Sequence, residues 1–182
     1  MEKPVWRVRA SSYAIESPYL RIRKDEVELP DGTIVKDYYV RESHGFVLIV
    51  PITDDQRVVL VRQYRYGADA IVLELPAGSL EEGEEPADCA RRELLEETGY
   101  EAGAFELIAT YGAEPVRSDA RAFVFLARGA KKTQPQQLDV TERIDVEVVD
   151  LITFRALLRD ASIDVGSSIA AGYLALERLG LM

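Results

Sequence analysis

Three glutamates with helical spacing are the residues of this sequence best suited to chemistry. Glu93, Glu96 and Glu97 stand at positions i, i+3 and i+4, which places three carboxylates on one face of a helix. Carboxylates this close repel each other, so the cluster is costly unless cations lie among them. Oxygen ligands suit a hard divalent ion, Mg²⁺ or Mn²⁺, better than zinc. The spacing indicates a divalent metal site, with a solvated acidic helix face as the alternative.

The residues around the glutamates favour the metal site. Arg92 stands beside Glu93 and one turn before Glu96, where its guanidinium can hold carboxylates by charged hydrogen bonds. Gly78 follows a strand-like apolar run, and a loop rich in glutamate leads from it into the helix. A solvated acidic face needs none of these neighbours.

The segment from Gly78 to Tyr100 resembles the Nudix box of the Nudix hydrolases. Its fixed positions are Gly78, then Glu84 after five intervening residues, then after seven more the run Arg92-Glu93-Leu94-Leu95-Glu96-Glu97-Thr98-Gly99-Tyr100. Only Tyr100, at a position that is often aliphatic, departs from the pattern. The order of strands and helices on both sides is also similar to a Nudix domain. The resemblance implies an α/β fold, an α/β/α sandwich with a mixed sheet, and hydrolysis of a nucleoside diphosphate linked to another group.

The same resemblance implies roles for individual residues. Glu84 would brace the loop and the helix, and Arg92 would orient the glutamates during catalysis. The expected cofactor is Mg²⁺, with Mn²⁺ as the alternative, and Glu96 would serve both as a ligand and in catalysis. The implied metal ligands are Glu93, Glu96, Glu97 and the backbone carbonyl of Ala77.

Two further segments are similar to the ADP-ribose and nucleoside-diphosphate-sugar pyrophosphatase branch of this family. They are Glu74-Leu75-Pro76-Ala77-Gly78 and, upstream of it, Arg62-Gln63-Tyr64-Arg65. Pro115 lies fifteen positions after Tyr100, as is typical of the branch. In the branch an arginine at the place of Arg65 contacts phosphates, a role that suits a planar guanidinium. The alternative for Arg65 is an exposed strand end.

The catalytic base of this branch often comes from a glutamate on a late loop. Residues 128–143 are poor in apolar side chains and contain Pro135, so they are predicted to form such a loop. Glu142 is the best candidate for the base and Asp139 is the second. A solvated loop acid is the alternative for both.

Apolar runs and turn signals predict the elements that position these residues. Proline in the first turn and glycine just past the end predict a helix from Pro86 to Gly99, with Ala87, Ala90 and Leu94 facing the sheet. The run at 46–50 is predicted to end as a strand at Pro51. Further strands are predicted at 58–61, which runs into residues 62–65, and at 71–75, 105–110, 122–127 and 144–149. Helices are predicted at 154–159 and 169–179, the last capped by Ser167 or Ser168.

The first 44 residues are predicted to form an antiparallel β arm with little core of its own. The alternating run at 19–23 and the turn signal at 29–33 support this prediction. Such an arm needs another surface to lie on. Members of the branch are usually dimers whose N-terminal strands cross to the partner, so the resemblance implies a homodimer. Residues 45–182 would form the Nudix hydrolase domain.

Composition limits the possible partners. The chain has 182 residues, 47% of them hydrophobic, with 22 lysines and arginines against 32 aspartates and glutamates. A net charge of −10 argues against a nucleic-acid partner that needs a broad basic face. The longest apolar run is too short to cross a bilayer, so no membrane partner is expected. With one cysteine and no signal-like N-terminus, we expect a cytoplasmic protein.

The sequence therefore predicts a Mg²⁺-dependent pyrophosphohydrolase that cleaves ADP-ribose or nucleoside diphosphate sugars to a nucleoside monophosphate and a sugar phosphate. One alternative keeps the fold and the metals but hydrolyses nucleoside triphosphates or dinucleoside polyphosphates. Another is a catalytically inactive Nudix domain that senses a ligand, although such a domain would be expected to have lost carboxylates.

Overall fold

The structure is a computed structural model that describes residues 5–182. Residues 1–4, the start of the predicted arm, lie outside the described residues. The chain folds as two compact units. Among the described residues, the first comprises residues 5–45 and 112–121, and the second comprises residues 46–111 and 122–182.

The first unit is built on a three-stranded antiparallel sheet, as predicted for the N-terminal arm. Its strands are β1 (Arg7–Glu16), β2 (Arg21–Glu28) and β3 (Ile34–Glu42), in the order β1-β2-β3. The predicted turn between β2 and β3 contains Gly32 at φ +85°, a conformation that glycine adopts without steric cost. The segment from residue 112 to 121 joins this unit, because Arg41 and Arg117 are hydrogen bonded through their main chains.

The second unit is built on an eight-stranded mixed sheet. Strands β4 and β10 run parallel to each other, and the other pairs with known register are antiparallel. The path runs β11-β5-β4-β10-β8, with β6 on β5, β7 on β4 and β9 on β10. The strands are β4 (Phe46–Thr53), β5 (Arg57–Arg65), β6 (Ala70–Glu74), β7 (Ala77–Ser79), β8 (Tyr100–Glu101), β9 (Ala104–Gly112), β10 (Arg121–Lys132) and β11 (Ile144–Asp150).

Helices cover both faces of this sheet, which confirms the predicted sandwich. They are α1 (Pro86–Thr98), α2 (Leu151–Arg159) and α3 (Gly166–Arg178), with a short 3₁₀ turn at Tyr66–Ala68. Leu48 and Val50 of β4 belong to the core that contains α2 and α3, whereas Val47 and Ile49 belong to the core that contains α1. Side chains alternate between the faces of a strand, so this buried strand supplies both cores. No helix within residues 5–182 combines the length and the apolar character that a bilayer crossing requires.

Two local predictions were wrong. The strand β4 continues through Pro51 to Thr53, because it is paired with β10 from Phe46 to Thr53. The proline nitrogen faces the other side, where Ile49 binds Pro76 O, and on that side β4 has ladder partners only at residues 46–48 and 52 among the described residues. Helix α3 begins at Gly166 without a side-chain cap.

Candidate active site

Helix α1 carries the predicted acidic cluster, and its ends are set by the residues that the sequence indicated. Pro86 occupies the first turn, and Gly99 closes the helix at φ +74°. Ala90 and Leu94 are fully buried on the sheet side, as predicted. Because these apolar positions fix the rotation of the helix, they also fix the direction in which its glutamates point.

Gly78 lets the acidic cluster approach the main chain of β7. A Cβ atom at this position would overlap the carboxyl group of Glu93. Only glycine leaves room for the carboxylate there. The fixed glycine of the motif is thus explained by a close approach between strand and helix.

Glu97 is the most buried acid of the cluster, with 3% of its surface exposed. Its Oε2 accepts a hydrogen bond of 3.0 Å from the Ala77 N–H. Burial raises the pKa of Glu97 to about 8, and the negative charges of Glu93, Glu142 and Glu74 act in the same direction. Burial keeps this carboxyl group protonated, and a bound cation would favour loss of the proton.

Glu93 and Glu96 are held by Arg92. The Arg92 Nη1 donates to Glu93 Oε1 at 2.8 Å and to Glu96 Oε2 at 3.1 Å. Burial raises the pKa of Glu93 to about 7, although Arg92 acts against that shift. The side chain of Glu96 is 39% exposed, so the three carboxylates range from solvent-facing to almost fully buried.

Glu84 occupies the other edge of the Arg92 guanidinium. Its two carboxylate oxygens accept from Arg92 Nε at 2.9 Å and Nη2 at 3.0 Å. The same carboxylate accepts the main-chain N–H of Glu81. The Arg92 hydrogen bonds lower the pKa of Glu84 to about 2. Glu84 therefore ties the loop before α1 to Arg92.

The loop after β10 is fastened along the C-terminal end of α1. The Gln136 side chain donates to Glu97 O at 2.6 Å and to Ile144 O at 3.0 Å, and the Gln137 N–H donates to Glu96 O at 2.9 Å. These bonds satisfy carbonyls that have no partner within the helix. Sequence reasoning missed Gln136, because nothing in the local pattern marks a side chain that joins two distant carbonyls.

Both candidates for the catalytic base lie at the end of this loop. The Glu142 carboxylate accepts the Asp139 N–H at 3.0 Å. The negative charge of Glu142 contributes to the raised pKa values of Glu93 and Glu97, after burial. The loop therefore brings Glu142 within electrostatic reach of the acidic cluster.

Arg65, the predicted phosphate ligand, lies at the end of β5 and pairs with Glu74 of β6. The Nε–Oε1 distance is 2.8 Å. Gln63 lies two residues earlier and is 6% exposed, with its Nε2 lacking a hydrogen-bond partner among the described residues. Sequence reasoning quoted Gln63 and Glu74 only as parts of motifs. Their burial follows from the pairing of β5 and β6, which one sequence does not report.

The residues of the cluster have the donor chemistry that a divalent cation needs. Carboxylates and a main-chain carbonyl are hard oxygen ligands, and two of the acids are buried with raised pKa values. Within the described part of the chain, no three His, Cys, Asp or Glu side chains converge as a ready metal cage. The carboxylates are bonded to Arg92 and to the Ala77 N–H.

An α/β/α sandwich with this acidic helix is the arrangement of a Nudix domain. Residues 43–166 match the NUDIX domain family, and residues 6–40 match the nucleoside diphosphate sugar hydrolase N-terminal domain. The chain therefore belongs to the Nudix family and is a Nudix hydrolase. Nudix hydrolases generally use divalent metal cations.

Individual relatives extend over most of the chain. The methanol dehydrogenase activator of Bacillus methanolicus is 35% identical over 160 residues, covering 87% of this chain and 86% of the relative. The ADP-ribose pyrophosphatase of Bacillus subtilis (strain 168) is 34% identical over 155 residues, covering 84% and 83%. A crystal structure of an ADP compounds hydrolase has the same fold, with a TM-score of 0.83, 22% identity and coverage of 100% and 98%. These similarities confirm the predicted family branch.

Proposed function

We propose that this chain hydrolyses the pyrophosphate bond of ADP-ribose or of nucleoside diphosphate sugars, releasing a nucleoside monophosphate and a sugar phosphate. The observation that carries the proposal is the acidic face of α1 against β7, where Glu93 lies on Gly78 and Glu97 on the Ala77 N–H. The N-terminal family match and the named activity of the Bacillus subtilis relative support the substrate class.

The proposed metal ligands are Glu93, Glu96, Glu97 and the Ala77 carbonyl, with Mg²⁺ as the cofactor and Mn²⁺ as the alternative. A divalent cation supplies charge neutralisation at the pyrophosphate and activation of the attacking water. This is the large electrostatic contribution that an acidic site cannot provide by itself.

The remaining residues of the site bind, orient or accept protons. Arg92 orients Glu93 and Glu96 through its Nη1 atom, and Arg65 binds the phosphates. Glu142 accepts the proton of the attacking water, with Asp139 as the second candidate. The charge of Glu142 already acts on the acidic cluster, which supports this choice.

We further propose that residues 1–44 are a dimerisation arm of a homodimer and that residues 45–182 are the catalytic domain. All ten residues of β1 are exposed in the single chain, including the apolar side chains of Val8 and Ile15. An exposed edge strand of this kind is a template for pairing with another chain. Sedimentation equilibrium should give twice the chain mass of 20.4 kDa, and a monomer at micromolar concentration would contradict the proposal.

The proposed compartment is the cytoplasm. The single cysteine, Cys89, is free and buried, and its pKa is raised to about 12 by burial. A lone buried thiol forms no disulfide within the chain, which supports a reducing compartment. Fractionation of the native cells, with detection of the untagged protein, tests the location.

The function is tested with purified protein, Mg²⁺ and a panel of substrates. The panel contains ADP-ribose, ADP-glucose, GDP-mannose, UDP-glucose, a dinucleoside polyphosphate and the nucleoside triphosphates, with products separated by anion exchange. We expect a nucleoside monophosphate from the sugar-linked diphosphates only, and none when EDTA replaces Mg²⁺. Turnover confined to triphosphates or dinucleoside polyphosphates would favour the other Nudix activity. No turnover despite metal binding would favour an inactive ligand sensor.

A further inference from the structure

Glu74 is a buried acid that the proposed reaction does not use. Its side chain is 4% exposed and its ion-pair partner, Arg65, is 46% exposed. Burying a carboxylate is costly, and a half-exposed arginine offsets that cost only in part. An apolar residue at this place would give the fold equal or greater stability. The Arg65–Glu74 pair therefore calls for a functional explanation and not one based on the stability of the fold.

The strand register shows that the Arg65 side chain reaches back over the sheet. Arg65 is paired with Ala70, whereas Glu74 is paired with Val61. Glu74 therefore lies four residues along β6 from the position opposite Arg65, which is about 13 Å at roughly 3.3 Å per residue. To bring Arg65 Nε and Glu74 Oε1 to 2.8 Å, the two side chains must extend towards each other, so the Arg65 side chain lies back along β5 in the direction of the Gln63–Val72 pair.

This direction carries the guanidinium towards the acidic cluster. Residues that alternate by two share one face of the sheet, so Arg65, Gln63 and Glu74 all lie on that face. Leu73, one residue before Glu74, belongs to the core with α2 and α3, so the shared face is the opposite one, which α1 covers. The charge of Glu74 also acts on Glu97.

The contact leaves most of the guanidinium free. Glu74 accepts from the Nε atom of Arg65, and the Arg65 side chain has no other hydrogen-bond or ion-pair partner within residues 5–182. Guanidinium has five N–H donors in a fixed plane, so the four on the two Nη atoms remain available for an anion. Gln63, on the same face, adds a buried Nε2 donor without a partner among the described residues.

We propose that Glu74 is a positioning residue that draws the Arg65 guanidinium onto the α1 face of the sheet, so that its Nη atoms meet the substrate pyrophosphate. This inference rests on the proposed function and extends it. Without Glu74, the Arg65 side chain returns to solvent at the end of β5. Substrate binding then has to order it again, which costs conformational entropy.

Steady-state kinetics with ADP-ribose and saturating Mg²⁺ test the proposal in Glu74→Gln, Arg65→Ala and the double variant. We expect Glu74→Gln to raise KM about tenfold, as for one weakened charged hydrogen bond, with a smaller change in kcat. The double variant should be no worse than Arg65→Ala, because Glu74 acts through Arg65.

A matched pair on the other face of β5 provides the control. Arg62 Nε is bonded to Glu147 Oε1 of β11, and Arg62 alternates with Gln63 along the strand. Glu147→Gln also removes a carboxylate that accepts from the Nε atom of a β5 arginine, although this carboxylate is 36% exposed against 4% for Glu74, and it should leave KM unchanged. Should Glu74→Gln fail to fold, Glu74→Asp keeps the charge but shortens the side chain, and the same rise in KM is expected.

The outcomes separate this inference from the proposed function. A wild-type protein that does not hydrolyse ADP-ribose or nucleotide sugars contradicts the proposed function itself. An active wild type with an unchanged KM in both Glu74 variants overturns the positioning role alone. Additive losses in the double variant would also overturn it, since they would show that Glu74 acts independently of Arg65.

Discussion

Replacing Glu97 by glutamine should stabilise the protein while abolishing its turnover. Glu97 is almost fully buried, and its pKa is raised from 4.5 to about 8. Between these two values the unfolded chain has lost the proton that the folded chain keeps. The contribution of Glu97 to the free energy of unfolding is therefore most favourable below pH 4.5, and it falls as the pH rises towards 8.

The size of this effect follows from the pKa shift. At pH 7 the carboxyl group in the unfolded chain is about 2.5 pH units above its pKa of 4.5, which corresponds to about 3.5 kcal/mol at roughly 1.4 kcal/mol per unit. Glutamine does not ionise in either state, and its oxygen can still accept the Ala77 N–H. Its new N–H₂ group lacks an assured partner, which costs about 1–3 kcal/mol. The net gain should lie between about 0.5 and 2.5 kcal/mol, or up to roughly 10 °C in Tm.

Two assays on one preparation check this prediction. Thermal unfolding at pH 7 in EDTA gives the stability, and ADP-ribose hydrolysis with Mg²⁺ should fall by at least about 100-fold, since a metal ligand is lost. Glu101→Gln, an exposed site on β8, is the control and should change stability by less than about 0.5 kcal/mol. Retained activity would refute the assignment of Glu97 as a ligand. A clear loss of stability would refute the argument from burial.

Three further predictions concern the same cluster. Affinity for Mn²⁺ should increase from pH 6 to pH 9, because Glu93 and Glu97, with pKa values of about 7 and 8, must release protons when the metal binds. Calorimetry in buffers of different ionisation enthalpy measures the proton release, and a pH-independent affinity would contradict the prediction. Arg92→Lys should lower kcat at least tenfold, since one ammonium cannot replace a fork that binds three carboxylates, whereas Arg91→Lys, a more exposed neighbour, should retain activity. Gly78→Ala should impair catalysis, because its Cβ would displace the carboxyl end of the Glu93 side chain. Gly166→Ala, with open space around it, should leave activity intact, and equal activities in these two variants would show that the close approach is unimportant.

The helix and its acids were predictable because their signals are local. Proline and glycine at the ends of α1 and the i, i+3, i+4 spacing of the glutamates act within a few residues of chain. The N-terminal end of α3, by contrast, depends on a contact between distant residues. Ser168 was predicted as a possible cap, but its Oγ accepts the Leu75 N–H at 3.2 Å. That bond joins residues 93 positions apart, a distance that no local pattern reports.

The sequence by itself determined the chemistry of this protein, namely three carboxylates on one helical face and an arginine beside them. These features depend on residue type and short-range geometry. Only the tertiary structure decided which acids are buried and have a raised pKa, where the Arg65 side chain extends and how Gln136 in the loop after β10 is bonded to α1. Burial and strand register depend on contacts between segments far apart in the chain. They are therefore set by the packing of the whole sheet and its helices, and not by any one stretch of sequence.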